Sequence, residues 1–138
     1  MQPFILVVDD DPNIATLVTE SLENKGYRVT FCNDAAQAVI QAEGTKIGLL
    51  IMDIMMPGFG SGIDAYINLR KNRSLSKELP IIFLTGVKPE QAGRLIPKDD
   101  PRVRLLHKPT TMTKLQTAIR ELTGDSLLPA KSQRREQR

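Results

Sequence analysis

Tryptophan is absent from these 138 residues, aromatic side chains make up 4%, and there is one cysteine and one histidine. A single cysteine, Cys32, has no partner within the chain, which excludes an internal disulfide framework and predicts a reduced thiol. No apolar run approaches membrane-spanning length. The start, Met1-Gln2-Pro3, lacks the basic and apolar regions of a secretion signal, because the run Phe4 to Val8 is short and leads straight into aspartates. Together these absences predict a cytoplasmic protein with no membrane contact. Internal repeats are also missing. The net charge is +3, but residues 124–138 hold Lys131, Arg134, Arg135 and Arg138 against Asp125 and Glu136. Without that segment 15 basic and 14 acidic residues remain, so the body of the chain offers no electrostatic argument for nucleic acid.

What is present is an ordinary globular composition, 41% hydrophobic and 25% charged, in a chain long enough for one domain with a proper core. Strand and helix signals alternate five times. Strands are expected at Phe4 to Val8, Tyr27 to Cys32, Ile47 to Met52, Pro80 to Leu84 and Arg102 to Leu106. The first helix opens at Asp11-Pro12, an N-cap followed by proline at the first helical position, with a stripe of Ile14, Leu17, Val18 and Leu22. The second is capped by Asn33 or Asp34, carries Val39 and Ile40 and closes at Gly44. The third runs from about Ile63 to Lys71, with Ile63, Tyr66, Ile67 and Arg70 on one side. A short fourth starts near Pro89 and stops by Pro97. The fifth has Met112, Leu115, Ile119 and Leu122 in register and ends at Gly124. Strands one, three and four are continuously apolar, as strands covered on both faces should be. Strands two and five alternate, which suits sheet edges. The fold class is therefore α/β, a doubly wound five-stranded parallel sheet in the order 2-1-3-4-5. Right-handed crossovers place helices one and five on one face and two, three and four on the other. The domain is expected over residues 1–123, with 124–138 a basic tail or truncated linker without order.

The ends of these strands carry the chemistry. Phe4 to Val8 runs into Asp9, Asp10 and Asp11; the third strand ends in Asp53; the fourth ends in Thr85; the fifth leads into Lys108-Pro109. In an open parallel sheet the carboxyl ends share one edge, where ligands bind. Carboxylates, a hydroxyl and an ammonium at one edge suit a cation and a phosphoryl group. Clustered carboxylates either take up protons or hold a cation, and a hard divalent ion such as Mg²⁺ or Mn²⁺ matches oxygen donors. Each residue also has a plainer reading. Asp11 is better explained as a helix cap than as a ligand. Lys88-Pro89 opens a helix rather than ending a strand. His107, at a strand end, reads as partly exposed.

The segments Val7-Val8-Asp9-Asp10-Asp11-Pro12, Met52-Asp53-Ile54-Met55-Met56-Pro57-Gly58, Leu84-Thr85-Gly86 and His107-Lys108-Pro109 resemble, in order and spacing, the receiver domain of two-component response regulators. The resemblance spans Phe4 to Leu122 and implies a flavodoxin-like (βα)5 sandwich. It implies that Asp53 accepts a phosphoryl group from a phosphohistidine kinase, a histidine phosphotransfer protein or an acyl phosphate. By the same resemblance Asp10 and Asp53 ligate the Mg²⁺ or Mn²⁺ ion, Met55 supplies its backbone carbonyl and Asp9 acts through water. Lys108 and Thr85 neutralise the phosphoryl oxygens, and Lys108-Pro109 corresponds to the family's lysine and cis-proline pair. The expected function is conformational switching that controls a downstream effector domain or protein, with a homodimer among the outcomes of phosphorylation. No turnover of an external substrate is expected, so the chain is not an enzyme in the usual sense. A phosphorylation-independent adaptor of the same fold would not need Asp9, Asp10, Asp53, Thr85 and Lys108 together. A haloacid dehalogenase-like phosphatase would need an aspartate where Met55 stands.

Two departures from the family matter. Leu105 occupies the position, three before the lysine, where many receivers carry an aromatic residue that swings inward with the threonine; an isobutyl group can repack but presents no ring. Pro97 and Pro101 bracket Lys98, Asp99 and Asp100, predicting a short helix and a stiff polar loop on a face many receivers use for dimerisation. Met55 and Val87, two residues after Asp53 and Thr85, flank the phosphoryl group in the family and cannot hydrogen-bond an attacking water through their side chains. Slow phosphoryl loss follows as an expectation. In a time course of the phosphorylated protein, Met55→Asn should lose phosphate faster than the wild type, and a faster wild type would overturn the idea.

Overall fold

The computed structural model describes residues 2–53, 62–73, 77–86, 99–108 and 110–129. Expectations that fall on Met55, Pro57, Val87, Lys88, Pro109, the helix near Pro89 to Pro97 and residues 130–138 lie outside these residues, as does the side chain of Ile63. The elements are β1 (Phe4–Val8), α1 (Pro12–Glu23), β2 (Arg28–Cys32), α2 (Ala35–Gly44), β3 (Ile47–Asp53), α3 (Gly62–Lys71), β4 (Ile81–Thr85), β5 (Val103–His107) and α4 (Met112–Thr123). All strand pairs are parallel and the order is β2-β1-β3-β4-β5, the expected doubly wound sheet.

Side chains alternate across each strand and so build two cores. Leu6, Val8, Leu50, Met52 and Phe83 face Ala38 and Ala42 of α2 and Leu69 of α3. Ile5, Val7, Leu49, Ile51, Ile82 and Leu84 face Ala15 and Leu22 of α1 and Leu115, Ala118, Ile119 and Leu122 of α4. Helices α1 and α4 therefore share one face and α2 and α3 the other, as the crossover rule requires. No helix among the described residues is long and apolar enough to cross a membrane.

Local signals set the helix starts. Asp11 accepts from the Asn13 N–H at 2.9 Å, with Pro12 in the first turn. Asp34, rather than Asn33, caps α2 by accepting from the Gln37 N–H at 2.8 Å. Thr111 does the same for Lys114 at 3.1 Å. The helix faces differ from expectation. On α1 the buried positions are Ala15, Thr19 and Leu22, and Leu17 is 65% exposed. On α2 Ala38 and Ala42 are buried and Ile40 is 69% exposed. The physical reason is closeness: alanine at the contact lets a helix settle on the sheet, and the larger residues two positions away are turned outward. Strand ends also shift. Tyr27 is buried but precedes β2, whereas Asp53, Thr85 and His107 lie inside their strands as the last residues.

The chain beyond Thr123 corrects the expected boundary. Gly124, at φ +60°, turns the backbone, and Leu127 and Leu128 bury themselves against the α1 side of the core. Gln2 Nε2 donates to Leu127 O at 2.7 Å and to Gly26 O at 2.9 Å. Gly48 makes the room: a Cβ there would collide with the Leu127 side chain and come within 3.0 Å of Pro3 Cβ. Residues 124–129 thus belong to the domain, because two leucines had apolar surface to bury.

Leu127→Ala should lower stability by about 2–5 kcal/mol and Gly48→Ala by about 1–3 kcal/mol in urea unfolding. The double variant should cost less than the sum, since the smaller side chain removes the collision. Additive costs would show that the two positions do not compete for space.

Candidate functional site

Parallel pairing lines up the strand ends. Asp53 pairs with Leu84 and Thr85 with His107, so β3, β4 and β5 finish side by side. Asp9 follows β1 directly and its N–H donates to Cys32 O at 3.2 Å, extending the ladder by one bond. The Lys108 N–H donates to Thr85 O at 2.7 Å, which fixes where the lysine leaves the sheet.

From there Lys108 Nζ reaches back across the edge. It donates to Asp9 Oδ2 at 3.2 Å and to Asp53 Oδ2 at 3.0 Å. Asp9 is buried and its Oδ1 accepts from the Asp11 N–H at 2.9 Å. Asp10 is exposed. One carboxylate oxygen from each of Asp9, Asp10 and Asp53 lies within 4.8 Å of the others. Thr85 is buried at the end of β4. Asp9, Asp10, Asp53 and Lys108 are thus brought together, with Thr85 tied to Lys108 through the backbone. Leu105 lies elsewhere, half-buried beside Phe83 on the face covered by α3. His107 is exposed. Asp11 is the helix cap that its position before Pro12 predicted.

Three carboxylates against one ammonium leave two negative charges in surplus. Burial pushes the Asp9 carboxyl above its ordinary value of 3.8; the Asp11 N–H and Lys108 oppose this, and the charge of Asp53 adds to it. Burial disfavours the charge on Lys108, but the hydrogen bond and charge of Asp53, with those of Asp9, outweigh it and hold the ammonium above 10.5. A compact set of hard oxygen donors with unbalanced negative charge fits a divalent ion of the Mg²⁺ type, which accepts carboxylates and keeps several waters.

One cluster escaped the sequence reading. Tyr66 and Arg70 of α3 both hydrogen-bond Asp100, thirty or more positions away. No local spacing connects them; only the fold, which brings α3 to the segment just before β5, does.

Similarities to known proteins agree with this geometry. The family model described as the response regulator receiver domain matches residues 5–120. The alkaline phosphatase synthesis transcriptional regulatory protein PhoP of Bacillus subtilis is 30% identical over 132 residues, covering 96% of this chain and 53% of PhoP. The probable transcriptional regulatory protein TcrX of Mycobacterium tuberculosis is 30% identical over 139 residues, covering 90% of this chain and 58% of TcrX. The chain spans about half the length, or less, of the curated relatives it matches. The solved structure of chemotaxis response regulator CheY4 of Vibrio cholerae shares the fold at a TM-score of 0.76 and 24% identity, over 88% of this chain and 99% of that one.

Because Asp9 titrates above its ordinary value, it contributes most to stability when protonated, and that contribution falls as pH rises through its folded-state value. In EDTA at neutral pH, Asp9→Asn should therefore melt above the wild type, and the gap should close as pH falls toward 3.8. A variant that melts below the wild type at neutral pH would mean that the Lys108 pairing outweighs burial.

Proposed function

Since this chain belongs to the family of response regulator receiver domains, we propose that Asp53 accepts a phosphoryl group and that the domain then changes conformation to control a partner or output domain. The observation that carries this reading is the Lys108 ammonium held at 3.2 and 3.0 Å between Asp9 and Asp53, with Asp10 beside them.

A carboxylate oxygen of Asp53 attacks the phosphorus of a phosphohistidine or an acyl phosphate. A new P–O bond forms as the bond to the leaving group breaks, and its electron pair stays with the departing imidazole or carboxylate. Lys108 lies within reach of charge that develops on the phosphoryl oxygens, and the Thr85 hydroxyl is the second donor to them. Mg²⁺, or Mn²⁺, would be held by Asp10, Asp53 and the backbone carbonyl of Met55; when bound it supplies further neutralisation of that charge. Asp9 commits one oxygen to the Asp11 N–H and the other to Lys108, which suits a role toward the ion through water.

The donor is a sensor histidine kinase or a histidine phosphotransfer protein, and the receiver of the signal is an effector domain or protein, with phosphorylation-dependent homodimerisation among the routes of output. These partners place the domain in the cytoplasm. Phosphorylation can shift the conformation only through contacts that differ between the two states. Thr85 is the first such contact; Leu105, level with Phe83 on the neighbouring strand, is the position that repacks in response. The catalytic capacity is limited to gain and loss of phosphate at Asp53.

Intact-protein mass spectrometry after incubation with acetyl phosphate, with and without Mg²⁺, checks the reading. The expected result is a Mg²⁺-dependent gain of one phosphoryl group that Asp53→Asn abolishes. A gain that persists in Asp53→Asn would move the acceptor elsewhere. A folded protein that neither binds Mg²⁺ nor gains phosphate would favour the adaptor reading.

A further inference from the structure

At the opposite end of the sheet, where β5 begins, a second charged cluster is only half satisfied. Asp100 is fully engaged: its Oδ2 accepts from Tyr66 OH at 2.8 Å and Arg70 Nε at 3.0 Å, and its Oδ1 from the Arg102 N–H at 2.9 Å. Burial opposes its charge, yet these donors, with the charge of Arg70, hold it below 3.8. Arg70 is not satisfied. Its side chain is 13% exposed, and Nη1 and Nη2 are buried with no hydrogen-bond partner among the described residues. Nε serves Asp100, but the four N–H groups of the outer fork have no acceptor there. A buried ionised donor without an acceptor is a costly arrangement and calls for an explanation.

The surroundings supply one. A cleft of about 340 Å³ opens at this point, lined by Tyr66, Arg70, Lys77, Asp99, Asp100 and Pro101. The guanidinium lies 5.2 Å from the centre of the Tyr66 ring, and its Nε is pinned by Asp100, so the fork is held in place before any ligand arrives. We propose that this cleft is a binding site for a small oxyanion, a carboxylate or a tetrahedral phosphate-like group, taken by the outer nitrogens of Arg70 with Lys77 as second cation. A planar fork of donors matches two oxygens of either group. Lys77 is exposed and its long stem can move aside to admit the anion. Asp99, also exposed, opposes entry, and the four charges of the cleft cancel, so binding is selective by geometry rather than strong by charge. The Asp53 edge lies at the other end of the strands, which makes this site separate from the phosphoacceptor.

The test uses the full chain in EDTA, so that no divalent ion draws anions to the carboxylate edge. Sulfate replaces chloride at constant ionic strength while amide and arginine side-chain NMR signals are followed. The expected result is saturable shifts at the Arg70 side chain and at the amides of Asp100 and Arg102, with affinity about threefold weaker in Lys77→Ala, close to the loss of one exposed cation contact. Arg70→Lys, which keeps the charge and loses the fork, should abolish the saturable response. If that variant does not fold, Arg70→Met with Asp100→Asn removes the pair together and should also be silent. Acetate binding tighter than sulfate would assign the site to a carboxylate, and the reverse to a free tetrahedral anion. Shifts that never saturate, that spread evenly over surface lysines, or that survive Arg70→Lys would overturn the proposal.

Discussion

Carboxylates from separate strands share one sheet edge in this protein, and in their charged form that arrangement needs a counter-charge. Lys108 supplies part of it. It follows directly on β5, two strands away from β3 and three from β1, and its position depends on every ladder between them. The backbone bond from Lys108 to Thr85 O sets where the side chain departs, and the two ion pairs set where it ends. The site is thus a property of the whole sheet rather than of any one loop. A single slip in the β4–β5 register would carry the ammonium away from Asp53 and leave buried Asp9 without a cation.

That dependence explains what was legible in the sequence. Strand order followed from two facts: three apolar strands need cover on both faces, and two alternating ones do not. Once the order was known, Asp9, Asp53, Thr85 and Lys108 had to meet, because parallel strands end together. Helix ends were legible for the same local reason that they form, a side-chain oxygen ahead of an unpaired N–H. The orientation of the helices was not. Periodicity places an apolar stripe within about one residue, and α1 and α2 use that margin to bring Ala15, Ala38 and Ala42 to the contact and turn Leu17 and Ile40 out. Composition favours large residues in the core; close approach favours small ones, and here close approach won.

Two further features were hidden because nothing local encodes them. The Tyr66–Asp100–Arg70 cluster joins residues whose neighbours in sequence say nothing of each other. The burial of Leu127 rests on the absence of a side chain at Gly48, and an absence at one position gives no signal at another. Leu105 is the opposite case: its departure from the family pattern is plain in the sequence, and in the structure it lies half-buried beside Phe83, against the core cluster on the α2 and α3 face of the sheet.

The Gln2 side chain binds the carbonyls of Gly26 and Leu127 at once, which sets the first and last parts of the domain against each other. In topological terms the chain is nearly a closed ring, and its closure lies at the edge where the strands begin. A short peptide could join residues 2 and 129, and the chain could then be opened anew in an exposed turn such as that after Asn24, preserving both cores. A pull on the two ends would load that small amide bridge before it strained the sheet. That bridge lies at the end of the strands opposite the carboxylate edge.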